Sequence, residues 1–233
     1  MSQNLIRPLP EEQQYRSWIE VDLDNFAHNL QEVRRLIGPE IKILQVVKAD
    51  AYGHGAIEIS QTALKNGACC LGVANADEGV QLRVGGITAP IIILSPSIVS
   101  EIPEIIKYNL TPSVSDVLFA RDLQINCQKA GIKAAIHIEV DTGMGRGGTM
   151  NHDTVKMIKE IIDYPHLQIE GIFTHLSQSE KKVDYNQRQW LLFRELLDEL
   201  ERNNIVVSLW HMANSGAVLN SRISTSIWCD PVL

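Results

Sequence analysis

The chain has 233 residues, 45% hydrophobic and 21% charged, a balance that supports a sizeable globular core. Its formal net charge is -7 and no lysine and arginine stripe interrupts it, which argues against nucleic acid or an anionic membrane surface and for a small-molecule partner. Four cysteines, Cys69, Cys70, Cys127 and Cys229, lack the CxxC spacing of a zinc site and read as reduced thiols, so no metal is expected.

The opening "MSQNLIRPLPEEQQYRSW" has no apolar stretch of the signal-peptide kind, and no later run reaches the roughly 20 apolar residues of a membrane span. A cytoplasmic protein is the expectation. Residues 1–17 are expected to be a poorly ordered leader, and 18–233 one domain, a length that suits an α/β barrel of about 250 residues.

In chain order, the first predicted strand is Trp18 to Asp22, and Asp24 is the predicted cap of a helix with Phe26, Leu30, Val33 and Ile37 on one face. Gly38-Pro39 stops that helix. Strands are then predicted at Ile41 to Val47, Cys69 to Val73, Ile91 to Leu94, Leu110 to Val114, Ala134 to Val140, Leu167 to Phe173 and Val206 to His211. Helical stretches fill the gaps. The clearest is Gln187 to Asn203, with Trp190, Phe193, Leu197 and Leu200 inward and Arg188, Arg194, Glu195, Glu199 and Arg202 outward. Alternating strands and helices predict a parallel sheet, and runs such as "PIIIL" predict burial on both faces. A closed barrel and a doubly wound sheet both satisfy that pattern.

Polar residues gather where strands end. Lys48 follows the apolar run Ile43, Leu44, Val46, Val47, so its stem starts inside the fold. "DTGMGRGG", Asp141 to Gly148, follows another strand, Thr174-His175 a third, and His211 to Ser215 a fourth. In barrels the carboxyl ends of the strands form the active face. Each residue also has a structural reading. A strand-end lysine is often salt-bridged or snorkelling, though such amines are also the usual nucleophile toward carbonyl groups. Tyr52 reads as a packed loop aromatic or as a hydroxyl donor to phosphate. Arg146, between two glycines, suits a planar acceptor better than it suits packing. His175 alone reads as a core histidine, and Asn214 with Ser215 as a plain helix N-cap or as donors to a phosphate.

Together these stretches resemble the alanine racemase family of pyridoxal phosphate (PLP) enzymes, which interconvert L- and D-alanine for cell-wall precursors. "WIEVDLDNFAHNL", "VVKADAYGHG", "HIEVDTGMGRGG", "GIFTHLS" and "HMANSGAVL" carry the likeness, from about Trp18 to Leu219. Related decarboxylases usually lack the tyrosine-glycine-histidine continuation after the lysine. The resemblance implies a (β/α)8 TIM-like barrel without the family's C-terminal β domain. It implies that Lys48 bonds covalently to PLP and is the base on one face of an alanine-like substrate. It further implies that Tyr52 and Ser215, beside Asn214, bind the cofactor phosphate. Arg146 would meet the phenolic oxygen, His175 would lie beside the ring, and Leu94 would pack behind it.

Three departures accompany the likeness. Glu139 stands where the family usually has a lysine, carbamylated to orient the arginine, and a carboxylate there is expected to do the same electrostatic work. "STSIWCDPVL" replaces a segment that carries an arginine facing the pyridine nitrogen, with Asp230 at its place. The family's opposing tyrosine base comes from the β domain across a dimer, so a homodimer or a separately encoded β domain is expected as partner. The altered tail, about Ser226 to Asp230, is expected to form an atypical eighth barrel strand and to close the ring poorly. The alternatives are a non-catalytic PLP-holding barrel and an inactive fragment.

Overall fold

The computed structural model describes residues 17–181, 184–220 and 228–230. The leader over 1–16 lies outside them, as does Arg222 with the rest of 221–227.

Helix α1 (Leu23–Ile37) is capped by Asp22, whose carboxylate accepts from the backbone N–H groups of Asp24 and Asn25. The cap lies two residues before the predicted Asp24, which instead supplies first-turn negative charge. Trp18 to Asp22 forms no strand, and Trp18 and Ile19 are exposed. The segment has β-forming residues but pairs with no strand among the described residues, and pairing is what makes a strand.

The chain then alternates through β1 (Lys42–Val46), α2 (Lys48–Gly53), α3 (Ala56–Lys65), β2 (Ala68–Val73), α4 (Ala76–Val84) and β3 (Ile91–Pro96). It continues through α5 (Ile102–Lys107), β4 (Thr111–Val114), α6 (Val117–Ala130), β5 (Ala134–Asp141), β6 (Thr149–Met150), α7 (Asn151–Ile161) and β7 (Leu167–Thr174). The last elements are α8 (Asp184–Arg202), β8 (Leu209–Asn214), α9 (Ser215–Asn220) and β9 (Trp228–Asp230).

Every pairing is parallel, and eight strands close into a ring in the order β1-β2-β3-β4-β5-β7-β8-β9, with β6 added beside the end of β5. The ring closes where Lys42 pairs with Trp228 and Ile43 with Cys229, while β9 also pairs with β8 through Asp230. A closed ring settles the choice between barrel and doubly wound sheet, and the expected poor closure is not seen: β9 is short, but it bonds both neighbours. Closure removes the unpaired edges that an open sheet would expose.

Strand β8 begins three residues later than predicted. The turn after α8 places Asn204 at φ 57 and leaves Val206 86% exposed, so the apolar pair Val206 and Val207 precedes the barrel wall. In α8, Phe193, Leu196 and Leu200 are buried, with Trp190 and Leu197 half-buried beside them. The large core lies between barrel and helices, and a smaller one inside the barrel contains Leu44, Val46, Cys70, Ile92 and Leu209, with Leu94 at its upper rim.

Candidate active site

Lys48 stands at the top of β1, the next step in the series Leu44, Val46 that lines the barrel interior. The backbone immediately after it is unusual. Ala49, Asp50, Ala51 and Tyr52 have φ of 51, 53, 50 and 56, a full turn of left-handed helix made without glycine. Such a turn crowds Cβ against the following carbonyl, at roughly 1–2 kcal/mol per residue. It persists because its polar groups are tied down. Ala51 N–H donates to Val47 O at 2.9 Å, Gly55 N–H to Asp50 O at 3.0 Å, and Ala56 N–H to Asp50 Oδ1 at 2.7 Å. Glu78, on α4, accepts from Ala49 N–H at 2.8 Å and from Ala74 N–H at 2.7 Å. The turn brings the Tyr52 ring back over the lysine, 6.0 Å from Nζ to ring centroid.

The loop after β5 is folded by Asp141, whose carboxylate accepts from Gly143 N–H at 2.8 Å and Gly145 N–H at 3.0 Å. Gly143 and Gly145 have φ of 134 and 70, so the glycines are there for their backbone. Arg146 is exposed at the loop's crest. Beneath it Glu139 is 5% exposed, with one carboxyl oxygen lacking a hydrogen-bond partner. A Cβ at Gly147 would lie 3.2 Å from both Glu139 oxygens, so the loop passes directly over the carboxyl. Burial raises the Glu139 carboxyl to about 7; Arg146 pulls it down and Asp141 pushes it up. Desolvation at Glu139 thus outweighs the attraction of the arginine.

His175 follows β7 and is half-buried, and its imidazole is held at about 4 by burial, with the positive charges of Arg146 and Lys48 adding to the effect. One histidine thus feels both cations, so Lys48, Arg146 and His175 share one electrostatic neighbourhood. Leu94 lies over Gly72, where a Cβ would come within 2.7 Å of its Cδ1, so the missing side chain makes room for the leucine. Asn214 and Ser215 end β8 on the same carboxyl face, and Asn214 Oδ1 accepts from Ala217 N–H at 3.2 Å. The N-cap reading of Asn214 holds.

Sequence reasoning missed several residues around this mouth. Thr142 and Thr174 share a hydroxyl hydrogen bond of 2.8 Å, Gln189 donates to His175 O at 3.0 Å, and Tyr185 OH donates to Gly143 O at 2.8 Å. The available signal was the helical spacing of Asn186 and Gln189, which puts two polar side chains on the inward stripe of α8 that continues through Phe193, Leu196 and Leu200. Below the mouth, His137 Nδ1 and His211 Nε2 are 3.1 Å apart and His211 stacks on Phe173. Burial holds His211 well below the usual histidine range, with His137 acting the same way. Among the described residues no cluster of His, Cys, Asp or Glu is built to hold a metal, and no helix is long and apolar enough to cross a membrane.

A closed parallel barrel with a lysine, an arginine and a histidine at its carboxyl mouth carries its candidate site at the face where α/β barrels place theirs. Residues 21–231 match the family model described as "Alanine racemase, N-terminal domain", and the chain belongs to that family. It is 42% identical over 205 residues to an alanine racemase of Clostridium perfringens, covering 87% of this chain and 53% of that protein. It also resembles the solved alanine racemase of Bacillus anthracis with bound L-Ala-P, at TM-score 0.87 and 31% identity, over 94% of this chain and 57% of that one. The alanine racemase of Clostridium difficile 630 in complex with cycloserine is similar too, at TM-score 0.87 and 30% identity, over 90% and 58%. The chain spans about half the length of the curated relatives it matches.

Proposed function

We propose that this chain is the cofactor-bearing barrel of a PLP-dependent amino acid racemase acting on alanine, with Lys48 as the residue that bonds to PLP. The observation that carries the reading is that Lys48, Arg146 and His175 follow the carboxyl ends of β1, β5 and β7 in one closed ring, with the histidine held uncharged by burial and by the positive charges of Arg146 and Lys48. That donor set fits a ligand with an aldehyde, a phenolate and a phosphate. PLP, when bound, supplies an aldehyde for an amine to condense with and a ring that accepts the electron pair left when a proton departs.

Lys48 Nζ holds the cofactor, and in turnover takes the α-proton from one face of the substrate. Tyr52 and Ser215, with Asn214 beside them, hold the phosphate. Arg146 meets the phenolic oxygen as a planar fork, supported by Glu139 beneath its loop. His175 and Leu94 bracket the ring. The base on the opposite face is proposed to come from a second copy or a separately encoded β domain, as the resemblance implies. Supply of D-alanine for cell-wall precursors, in the cytoplasm, completes the proposal.

The test is borohydride reduction of the protein with PLP, followed by peptide mapping. A label on Lys48 is expected, and no label, or a label on another lysine, overturns the assignment. A label on Lys48 with no exchange of the α-proton of alanine would favour the PLP-holding alternative.

A further inference from the structure

We infer that Glu78 is a positioning residue for Lys48, a two-oxygen clamp that holds the peptide joining Lys48 to Ala49 where the left-handed turn begins; this rests on the Lys48 reading above. Glu78 is the third residue of α4, whose cap is Asn75; Asn75 Oδ1 accepts from Glu78 N–H at 3.0 Å. In the usual capping box, the glutamate at this position reaches back to the N–H of the cap residue. Here it reaches further. One oxygen accepts from Ala74 N–H, at the end of β2, and the other from Ala49 N–H, 29 positions earlier in the chain.

Ala49 N–H belongs to the peptide that joins Ala49 to Lys48, so its direction sets the backbone rotation at Lys48 and hence where the amine starts. Ala49 is also the first of the four left-handed residues. Nothing in its side chain favours that conformation, which for a residue with a Cβ persists only when its surroundings impose it. A carboxylate accepting from two backbone N–H groups does so directionally, and it joins the ends of two adjacent barrel strands, β1 and β2. An amide at the same place offers one oxygen and turns an N–H₂ group toward a second donor. Glu78→Gln therefore keeps the size and loses half the clamp, while Glu78→Asp keeps the charge and loses the reach to both donors.

The experiment uses the full chain with PLP and compares wild type, Glu78→Gln, Glu78→Asp and Asp116→Ala. Asp116 caps α6 by accepting from Phe119 N–H at 2.8 Å, so its variant is a comparable loss of helix capping in another element. Three readouts are taken: thermal midpoint, apparent Kd for PLP, and borohydride-fixed label at Lys48 per folded molecule. Both Glu78 variants are expected to raise the Kd about tenfold or more and to lower the label at limiting PLP, while Asp116→Ala labels like wild type at a lowered midpoint. Should one Glu78 variant fail to fold, the other carries the comparison. Wild-type labelling in folded Glu78 variants overturns this inference alone, as does an equal loss in Asp116→Ala. Absence of the label from wild-type Lys48 overturns the underlying reading, and this inference with it.

Discussion

Glu139 is pulled two ways, and the direction of the result has consequences for stability. Its carboxyl is raised to about 7 by burial despite Arg146. A carboxyl raised above its unfolded value binds a proton more tightly in the folded state, so its contribution is fully present below about pH 4.5 and is lost as pH rises through 7. Glu139→Gln removes that penalty. Urea unfolding without cofactor is expected to show the variant gaining on wild type by about 1–3 kcal/mol between pH 4.5 and 8. A difference that stays flat with pH would show that the carboxyl is not desolvated under the Gly147 loop. His175 acts in the opposite sense: its imidazole is depressed to about 4, so its contribution is present above about 6.5 and is lost as pH falls toward 4. At the same scale, Arg146→Lys replaces a planar fork with a point charge and is expected to weaken PLP binding about tenfold, near 1.4 kcal/mol. Equal affinity measured by fluorescence titration would count against the contact.

At the scale of elements, β7 shows how one strand shapes the interior of its neighbours. A Cβ added at Gly171 would lie 2.5 Å from His137 Cε1 and 2.7 Å from Nδ1. The ring has no room to retreat, being fully buried between Gly171 and His211. Gly171→Ala is therefore expected to cost about 1–3 kcal/mol or more through overpacking. Gly131→Ala, at the left-handed cap of α6 with nothing within 4 Å, is expected to cost about 1–2 kcal/mol through backbone strain alone. Chemical unfolding of the two variants side by side compares overpacking with backbone strain, and a cost near zero at Gly171, which lies outside the left-handed region, would mean that the His137 ring can yield.

At the scale of the molecule, the question is which groups within these residues can reach both faces of a bound substrate. Tyr52 lies against Lys48, Tyr185 OH is hydrogen-bonded to Gly143 O, and Tyr108 and Tyr164 pack half-buried against the main core. None of the four is arranged as a second base opposite the lysine. Losing one placed acid or base typically costs about 10²–10⁴-fold in rate. The 233-residue chain with PLP is thus expected to exchange the α-proton of alanine with solvent faster than it racemises alanine, by a factor in that range. Deuterium exchange followed by NMR, run beside a chiral assay, reads both rates. Racemisation keeping pace with exchange would show that a second base is already in place.

The parallel α/β pattern, the span of most strands, the buried face of α1 and the strand-end positions of Lys48, Arg146, His175 and Ser215 were all legible in the sequence. These follow from local physics: period-two and 3.6-residue hydrophobicity, and glycines where the backbone needs them. Trp18 to Asp22 and the Val206–Val207 pair misled for the same reason, since β-forming residues become a strand only where a partner strand waits. The pairing of β9 with both of its neighbours, the meeting of His137 with His211, the reach of Glu78 to Ala49 and the raised carboxyl of Glu139 were decided by tertiary structure alone. Each depends on groups far apart in the chain being brought together, or on water being excluded from a side chain, and neither distance nor desolvation is a property of a local stretch of residues.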